Sequence, residues 1–433
     1  MTPRRHRLAA EDFAALATGG GGARVMHTLV AVRRSRTLQL IRLVVGAAGE
    51  GDVAVHRAYR ALGEVRRTSP AAVDRVLDHP SVGAWATRIG LRLARDEPAD
   101  TGSLTGIAAA AAVRGRVPVT LHLPAGGDLV LPSLGVVSGV PAGEQTVRFG
   151  VDGAEIGGVV RIPADWSTDG PEWRATPRIV VRCDGLRADF QLERWETYQP
   201  TSGVALAGEP DLSAWRAMVE QSWDLLVRHH REVADELAEG VTVLTPLRAA
   251  GKGSSSATVE DAFGCILLSL GPDAESMAES LAHELRHNKL VALLDLFPLL
   301  ESVPGERFYA PWRDDPRPLL GLLHGTYAYV GVTAFWRRQR FHEPEPVAEK
   351  HAHTEFARWR RSALAATRTL LDSGRLTPPG RVFVTVMAKT LEEWCAEPVP
   401  AAAEAAAARL TTDHHEKWQT TRQSADADFD ASD

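Results

Sequence analysis

The stretch from residue 118 to about 200 most constrains the fold, because its residue pattern differs from that on either side. It contains short β-branched runs separated by Gly, Pro and Asp turns, namely VPVTLHLP, DLVLPSLG, QTVRFGVDG, GGVVRIPA, RIVVRCDG and ADFQLERW. Such runs are typical of an antiparallel sheet. Before and after this stretch, apolar residues recur three and four apart, which predicts helices. We therefore expect an α+β fold with a helical N-terminal part, an antiparallel β layer and a mostly helical C-terminal part.

These patterns divide the chain into four predicted regions. They are a helical region 1–117, a β-rich region 118–205, a metal-binding catalytic region 206–400, and an Ala-rich helix with a disordered acidic tail over 401–433. The run GGGG at 19–22 lacks the Lys-Ser/Thr of a phosphate-binding loop, so it predicts a flexible joint between two helices.

The third region combines helices with two apolar strands. The sequence predicts one long helix over 213–240, a strand over 241–247, a strand over 263–271 and a helix over 274–297. A strand directly before a helix is also the arrangement of a zincin core, so we expect a zincin-like element here by analogy.

Composition and charge limit the classes of partner. The 433 residues carry a net charge of −6, which gives no overall attraction to nucleic acid or to an anionic membrane. No apolar run reaches the roughly 18–20 residues of a membrane helix. The three cysteines are far apart and form no CxxC, which suits a reducing cytoplasm. The basic start is followed by acids rather than an apolar core, so we expect no export signal and a cytoplasmic location.

A short motif carries the strongest chemical signal. Residues 281–290 read LAHELRHNKL, in which His283, Glu284 and His287 match H-E-x-x-H. Two histidines four apart on a helix share a face, with Cβ atoms about 5–6 Å apart, so both imidazoles can reach one divalent ion. Glu284 is placed to contact a metal-bound water or to orient a histidine. The alternative is a set of hydrogen-bonded core histidines.

The third metal ligand is less well defined by the sequence. His324, in GLLHGTYAY, lies in an apolar helix between Gly321 and Gly325, which let another element approach closely. It is the favoured candidate, although a core histidine bonded to a backbone carbonyl fits the same pattern. Glu301 and Glu306 are alternatives in an irregular, proline-bounded stretch. Zinc and iron both accept histidine ligands, so ligand type does not separate them.

Basic residues near the motif suggest an anionic cosubstrate. Arg313 and Arg317 precede the His324 helix in YAPWRDDPRP, and Lys289 follows the motif. One carboxylate of a dicarboxylate would chelate the metal, and an arginine would clamp the other in a bidentate pair. The alternative is a structural network in which Asp314 and Asp315 neutralise these arginines.

Three stretches of the chain resemble one family. They are SLAHELRHNKLVALLDLFPL, FYAPWRDDPRPLLGLLHGTYAYVGVTAFWR and LTPLRAAGKGSSSATVEDAFGCILLSL, and the opening LAAEDFAALATGGGGA is also similar. The family is that of the bacterial H-E-x-x-H peptide-modification proteins, which are encoded beside ribosomally made, post-translationally modified peptides. The resemblance covers most of the chain, although the β-rich middle matches only in general character.

The resemblance implies Fe(II)- and 2-oxoglutarate-dependent hydroxylation, with O2, at the β-carbon of residues in a precursor peptide. His283 and His287 would then be metal ligands and Glu284 the motif acid. His324 as third ligand and Arg313 or Arg317 as the 2-oxoglutarate anchor are inferred from position, with Lys289 as a further cation. A partner maturase is also expected.

Two other interpretations stay open at the level of sequence. One is a zinc metallopeptidase in which Glu284 activates water as a general base. The other is a non-catalytic scaffold of a peptide-modifying complex. A peptide substrate could pair with the strand FGCILLSLG, although a core strand is the slightly favoured interpretation of that segment.

Overall fold

The computed structural model describes residues 6–49, 51–193, 206–207, 210–248, 255–301 and 305–430, with side chains to residue 420. Within these ranges the protein is a mixed α and β structure with helical N- and C-terminal parts and antiparallel sheets. The predicted fold class is therefore confirmed. No helix in the described ranges is both long enough and apolar enough to cross a bilayer.

The helices, in chain order, are α1 Ala10–Ala17, α2 Gly22–Ala47, α3 Val53–Thr68, α4 Pro70–Leu77, α5 Pro80–Leu93, α6 Ser103–Gly115, α7 Leu212–His229, α8 Arg231–Gly240, α9 Ala274–Leu294, α10 Leu319–Gln339, α11 Pro346–Asp372, α12 Pro378–Cys395 and α13 Ala401–Asp430. The last of these takes in residues that we expected to belong to the disordered tail.

The strands, in chain order, are β1 Val119–Leu123, β2 Gly127–Leu131, β3 Gly135–Val140, β4 Gly143–Phe149, β5 Gly153–Ile156, β6 Val160–Pro163, β7 Trp173–Ala175, β8 Arg178–Cys183, β9 Leu186–Leu192, β10 Val243–Pro246, β11 Ser256–Ala257, β12 Cys265–Leu268, β13 Arg307–Phe308 and β14 Arg317–Pro318.

The chain forms two compact units whose bounds differ from the four predicted regions. The first unit contains Leu29–Glu220 and Gly240–Pro272, and the second contains His6–Thr28, Gln221–Glu239 and the chain from Asp273 onward. The zincin-like pairing of strand and helix stays a prediction, because β12 belongs to the first unit and α9 to the second.

The core of the first unit is built around α6. This helix is apolar on all sides, and its run Ala108–Ala112 is fully buried among α3, α4 and the strands β1 and β2. Gly106 permits this packing, since a Cβ there would lie 2.1 Å from the carbonyl oxygen of Val130. Two antiparallel sheets with strand orders β1-β4-β5-β6 and β2-β3-β7 complete the core.

A third sheet in the first unit is mixed rather than antiparallel. Its strand order is β11-β12-β10-β9-β8, and β10 is parallel to both β9 and β12. Because β12 has neighbours on both sides, it is a core strand and its backbone cannot pair with a substrate. All four of its residues are buried, as a strand covered on both faces requires.

The second unit is mostly helical and combines the segment His6–Thr28 with the C-terminal helices. The Tyr327 hydroxyl on α10 donates to the carbonyl of Leu16 at 2.7 Å, and the Phe13 ring packs edge-on against Phe297. These contacts join α1 to α10 and to the segment that follows α9, about 300 residues later in the chain.

The single helix predicted over 213–240 is wrong, because the chain breaks it at His230 into α7 and α8. The His230 ring is buried, stacks on Phe335 and bonds through Nε2 to the Gln339 side chain at 2.9 Å. Asp211 caps α7, since its carboxylate accepts the backbone N–H of Ser213 at 2.9 Å.

Candidate metal centre

The H-E-x-x-H motif lies in the middle of α9, as its spacing predicted. Asp273 caps this helix by accepting the backbone N–H of Ser276 at 2.8 Å. Leu281 and Leu285 are buried, so the hydrophobic effect fixes the rotation of the helix. The rings of His283 and His287 then share the remaining face and stay partly exposed, with 22% of the His283 side chain accessible.

The two motif histidines are spaced as ligands of one ion would be. Their Nε2 atoms lie 3.2 Å apart. Two nitrogens each bound at about 2.1 Å are separated by about 3.0 Å in octahedral geometry and about 3.4 Å in tetrahedral geometry. The same separation also fits an N–H···N hydrogen bond between the two rings. The pair is therefore compatible with a metal but does not require one.

His324 on α10 lies beside this pair. Its ring centroid is 5.7 Å from that of His287, with the planes 23° apart. Gly331 lets α10 approach α9, because a Cβ there would be 2.6 Å from Cγ of Arg286. Among the described residues, no set of three His, Cys, Asp or Glu side chains is already arranged to hold one ion. A three-histidine site would therefore need the His324 side chain to change position.

All three histidines are held in the neutral form that a metal ligand needs. Burial lowers the pKa of His283, although the charge of Glu284 opposes this. Burial, reinforced by His283 and His324, puts the pKa of His287 well below its ordinary value. Burial alone lowers the pKa of His324 to about 4. Neutral imidazole nitrogens keep their lone pairs available near neutral pH.

Glu284 is more buried than the histidines it accompanies. It is 2% exposed, and its Oε1 lies 3.9 Å from Nε2 of His283. A carboxylate at this distance can orient the histidine or a group bound beside it.

An aromatic wall borders the site on the His283 side. The Tyr329 ring meets His283 edge-on at 5.3 Å and stacks on Trp312 at 4.6 Å, and Trp359 follows at 4.4 Å from Tyr329. Gly325 makes room for Trp312, since a Cβ there would lie 2.5 Å from the indole nitrogen. The close approach predicted from the glycines beside His324 is thus provided by a tryptophan.

The predicted anchor arginines are both engaged with a carboxylate. Arg313 Nε lies 2.6 Å from Asp315, and a terminal nitrogen of Arg317 lies 3.3 Å from the other oxygen of that carboxylate. Asp314 pairs instead with Lys417 at 2.8 Å. The structural network that we considered as the alternative is therefore present in part, through Asp315 but not Asp314. Both arginines are half-exposed, and Arg317 also packs against Gly321, one turn before the His324 position.

Lys289 does not support the role predicted for it. Its side chain is 1% exposed, and its ammonium contacts the carbonyls of Gly19 at 3.0 Å and Gly20 at 2.6 Å and the Glu236 carboxylate at 2.6 Å. These three acceptors use all three N–H donors. Arg286 completes the network with a 2.8 Å bond to Glu236. Lys289 therefore stabilises the second unit rather than binding a cosubstrate.

The glycine run at 19–22 belongs to the same network. Besides the two carbonyls that accept from Lys289, the N–H of Gly21 donates to Glu232 and that of Gly22 to Glu236. Gly21 has a φ of +120°, which residues other than glycine rarely adopt. The run lies between α1 and α2, as predicted for a joint between two helices, and it also contacts the buried Lys289 and Glu236. Its predicted flexibility stays a prediction.

Arg358 is a cation near the site that sequence reasoning missed. It lies over the Trp359 ring, 4.2 Å from the centroid, and is half-buried. No ion pair involves it within the described part of the chain. It is close enough to Tyr329 to oppose the effect of burial, which raises the pKa of that phenol. The only sequence signal was the run Arg-Trp-Arg-Arg, in which Arg358 is the first residue.

The remaining candidates lie away from the cluster or have other contacts. Glu301 and Glu306 are exposed, and the backbone of Glu301 pairs with Arg375. His414 bonds through Nδ1 to the Tyr309 hydroxyl at 2.8 Å.

Comparison with known proteins does not assign a family or a function to the chain. No protein-family model matches the chain, and no curated protein matches it either. Any function must therefore be argued from the residues themselves.

Proposed function

We propose that His283, His287 and His324 hold Fe(II), and that the protein catalyses the 2-oxoglutarate-dependent β-hydroxylation of residues in a ribosomally synthesised precursor peptide. The observation that carries the metal site is the 3.2 Å separation of the two Nε2 atoms on α9, with the His324 ring beside them. The choice of reaction follows from the family resemblance of the segments that contain these histidines.

The three histidines suit iron because they leave coordination positions for other ligands. Bound Fe(II) supplies, with O2 and 2-oxoglutarate, the oxidation that converts a substrate C–H bond to C–OH and releases succinate and CO2. The protein's own residues position the reactants. Glu284 orients His283 from its buried position, and the wall of Tyr329, Trp312 and Trp359 shields one side of the site from water.

The anionic cosubstrate needs a cation, and Arg358 is the best placed to serve. Arg313 and Arg317 already share Asp315, and Lys289 has no donor left. Arg358 is half-buried beside the aromatic wall and has no carboxylate partner among the described residues, so it can pair with an incoming carboxylate. Arg317 remains the second candidate, because its contact to Asp315 is long and its guanidinium can still donate elsewhere.

A zinc metallopeptidase is the second candidate function. It is favoured by the 3.9 Å between Glu284 Oε1 and His283 Nε2, which leaves the carboxylate within reach of a metal-bound water. The deep burial of Glu284 favours the orienting role instead.

The test is to supply the purified chain with Fe(II), 2-oxoglutarate and O2 and to measure succinate by mass spectrometry. We expect slow succinate formation that needs Fe(II) and is lost in His283→Ala and His324→Ala. His351→Ala, at an exposed histidine of the same unit, is the control and should keep the activity. Zinc-dependent cleavage of a peptide library without succinate would establish the peptidase instead. If a folded, metal-loaded protein shows neither succinate formation nor peptide cleavage, the result would favour the scaffold.

A further inference from the structure

The five-stranded sheet of the first unit has an edge that can accept another strand. The interior strand β12 is paired on both sides, but β8 is the last strand of the order and pairs only with β9 among the described residues. β8 is six residues long and antiparallel to β9 from Arg178 to Cys183. Its outer edge therefore presents backbone groups that have no ladder partner within the described part of the chain.

The turn between β8 and β9 fixes which backbone groups face outward. Asp184 and Gly185 both have positive φ, 40° and 77°, as a two-residue type I′ hairpin requires. Cys183 and Leu186 flank this turn and are the closing hydrogen-bonded pair. Hydrogen-bonded and non-hydrogen-bonded pairs then alternate along the ladder.

The far end of the hairpin shows the same alternation of hydrogen-bonded and non-hydrogen-bonded pairs. The Leu192 N–H donates to the carbonyl of Pro177 at 2.8 Å, six residues before Cys183. The residues between them that bond towards β9 are Ile179 and Val181. The N–H and C=O groups of Arg178, Val180 and Arg182 therefore point away from β9, towards the open edge.

The side chains of these outward residues form a basic surface. Val180 is 42% exposed, and Arg182 lies directly opposite Arg187 on β9, which places like charges face to face. Asp189 already binds both Arg178, at 2.6 Å, and Arg187, at 2.7 Å. This face thus holds three arginines against one aspartate, and Arg182 has no ion-pair partner within the described ranges.

A second copy of the chain is a poor occupant of this edge. Antiparallel pairing of two β8 strands centred on Val180 would place Arg178 of each copy against Arg182 of the other. Like charges directly opposite each other destabilise a strand pair. The edge instead matches a strand of opposite charge.

We infer that the β8 edge binds an extended peptide segment with two acidic residues four positions apart and a β-branched or apolar residue midway between them. The peptide backbone would pair with Arg178, Val180 and Arg182, and its acidic side chains would lie opposite the two arginines. A cleft of about 830 Å³ adjoins the start of β8 and is lined by Trp166, Leu212 and Arg216 among others. This cleft can take a side chain beyond the paired segment.

This inference concerns the first unit alone and does not rest on the metal centre. The full chain would be titrated into a fluorescein-labelled peptide of serine and threonine with two glutamates four apart and valine midway, and anisotropy recorded. The control peptide has lysines in place of the glutamates. Hydrogen exchange of the backbone amides would be followed with and without the acidic peptide.

We expect the acidic peptide to bind, the lysine peptide not to bind, and the amides of Val180 and Arg182 to become protected. Arg182→Glu should weaken binding about tenfold, whereas Arg161→Glu, on the edge strand β6 of another sheet, should not change it. Arg182 is exposed and lies opposite Arg187, so glutamate there replaces a like-charge pair with an opposite-charge pair and should not impair folding.

Three results would overturn the inference. Absence of binding would mean that the arginines only protect the edge from pairing. Equal binding of both peptides would remove the charge argument. Protection of Val180 and Arg182 that rises with protein concentration alone would assign the edge to a second copy.

Discussion

The histidines and the lysine of α9 differ in the helix face that they occupy. Each residue advances about 100° around a helix, so Lys289 lies about 200° from His287. The histidines consequently face the partly exposed side, and Lys289 faces the buried Glu236. Sequence proximity to the motif suggested a shared site, but helical geometry separates the two roles.

Lys289→Met should destabilise the protein without altering the candidate site. It leaves Glu236 with Arg286 as its only cation in the network, and breaking a buried ion pair in this way costs about 3 kcal/mol or more. Urea denaturation measures the loss, with Lys389→Met, at an exposed lysine of α12, as the matched control. An unchanged unfolding midpoint, or a raised KM for 2-oxoglutarate in the folded variant, would contradict the structural role.

His230 should make the protein less stable in acid. Burial lowers its pKa from the ordinary 6.5 to about 4, so the unfolded chain takes up a proton that the folded chain resists. Stability is therefore lost as the pH falls below 6.5, by about 2 kcal/mol between pH 7 and pH 5. His230→Gln has no imidazole to protonate, so its unfolding free energy should fall by about that much less over the same interval. Equal pH dependence of the two proteins would refute the prediction.

Arg358→Met should raise the KM for 2-oxoglutarate more than Arg317→Met does. Loss of a charged hydrogen-bond pair of about 1.5–3 kcal/mol corresponds to about tenfold or more in affinity. Arg317 is already shared with Asp315, so its removal should have the smaller effect. Steady-state succinate formation gives both values. A larger rise in KM for Arg317→Met than for Arg358→Met would instead identify Arg317 as the 2-oxoglutarate anchor, as its position in the sequence suggested.

The packing of α10 against its neighbours depends on glycines at two points. Gly331 accommodates the Arg286 side chain on α9, and Gly325 accommodates the Trp312 indole. Both glycines lie on the helix that carries His324. The position of His324 beside His287 therefore depends on how closely α10 approaches α9 and Trp312.

Gly325→Ala should disturb this arrangement. The added Cβ would meet the indole at 2.5–2.6 Å, and such overpacking costs about 1–3 kcal/mol. Gly63→Ala, on α3, is the control, because nothing lies within 4 Å of its Cβ and alanine should stabilise that helix by about 0.5–1 kcal/mol. Thermal unfolding compares the two. A stabilised Gly325→Ala would mean that Trp312 does not pack there.

Local patterns predicted the elements well where one periodicity persists. The bounds of α9 agree with the predicted helix over 274–297 within a few residues, because caps and apolar spacing are local signals. The break at His230 was not predictable, since it depends on a bond to Gln339 more than a hundred residues away. The parallel pairing of β10 escaped prediction for the same reason: register and direction are set by distant strands.

At the scale of the whole chain, each of the two units draws on separated segments. His6–Thr28 belongs with the C-terminal helices, because Lys289 and Tyr327 bond to carbonyls near residues 16–20. No sequence periodicity reports such contacts. The motif spacing predicted that His283 and His287 share a face of α9, and the flanking glycines suggested that His324 lies close to another element. The sequence left open whether Arg313 is an anchor or pairs with a neighbouring aspartate, and the fold shows the pairing with Asp315.

The central claim is that three histidines hold Fe(II) together with 2-oxoglutarate. Anaerobic titration of the Fe(II)-loaded protein with 2-oxoglutarate, followed in the visible spectrum, tests it most directly. We predict a charge-transfer band that is absent in His283→Ala and His324→Ala and retained in His351→Ala. No band, with tightly retained zinc, would contradict the claim. A band that survives His324→Ala would keep the chemistry but reject His324 as the third ligand.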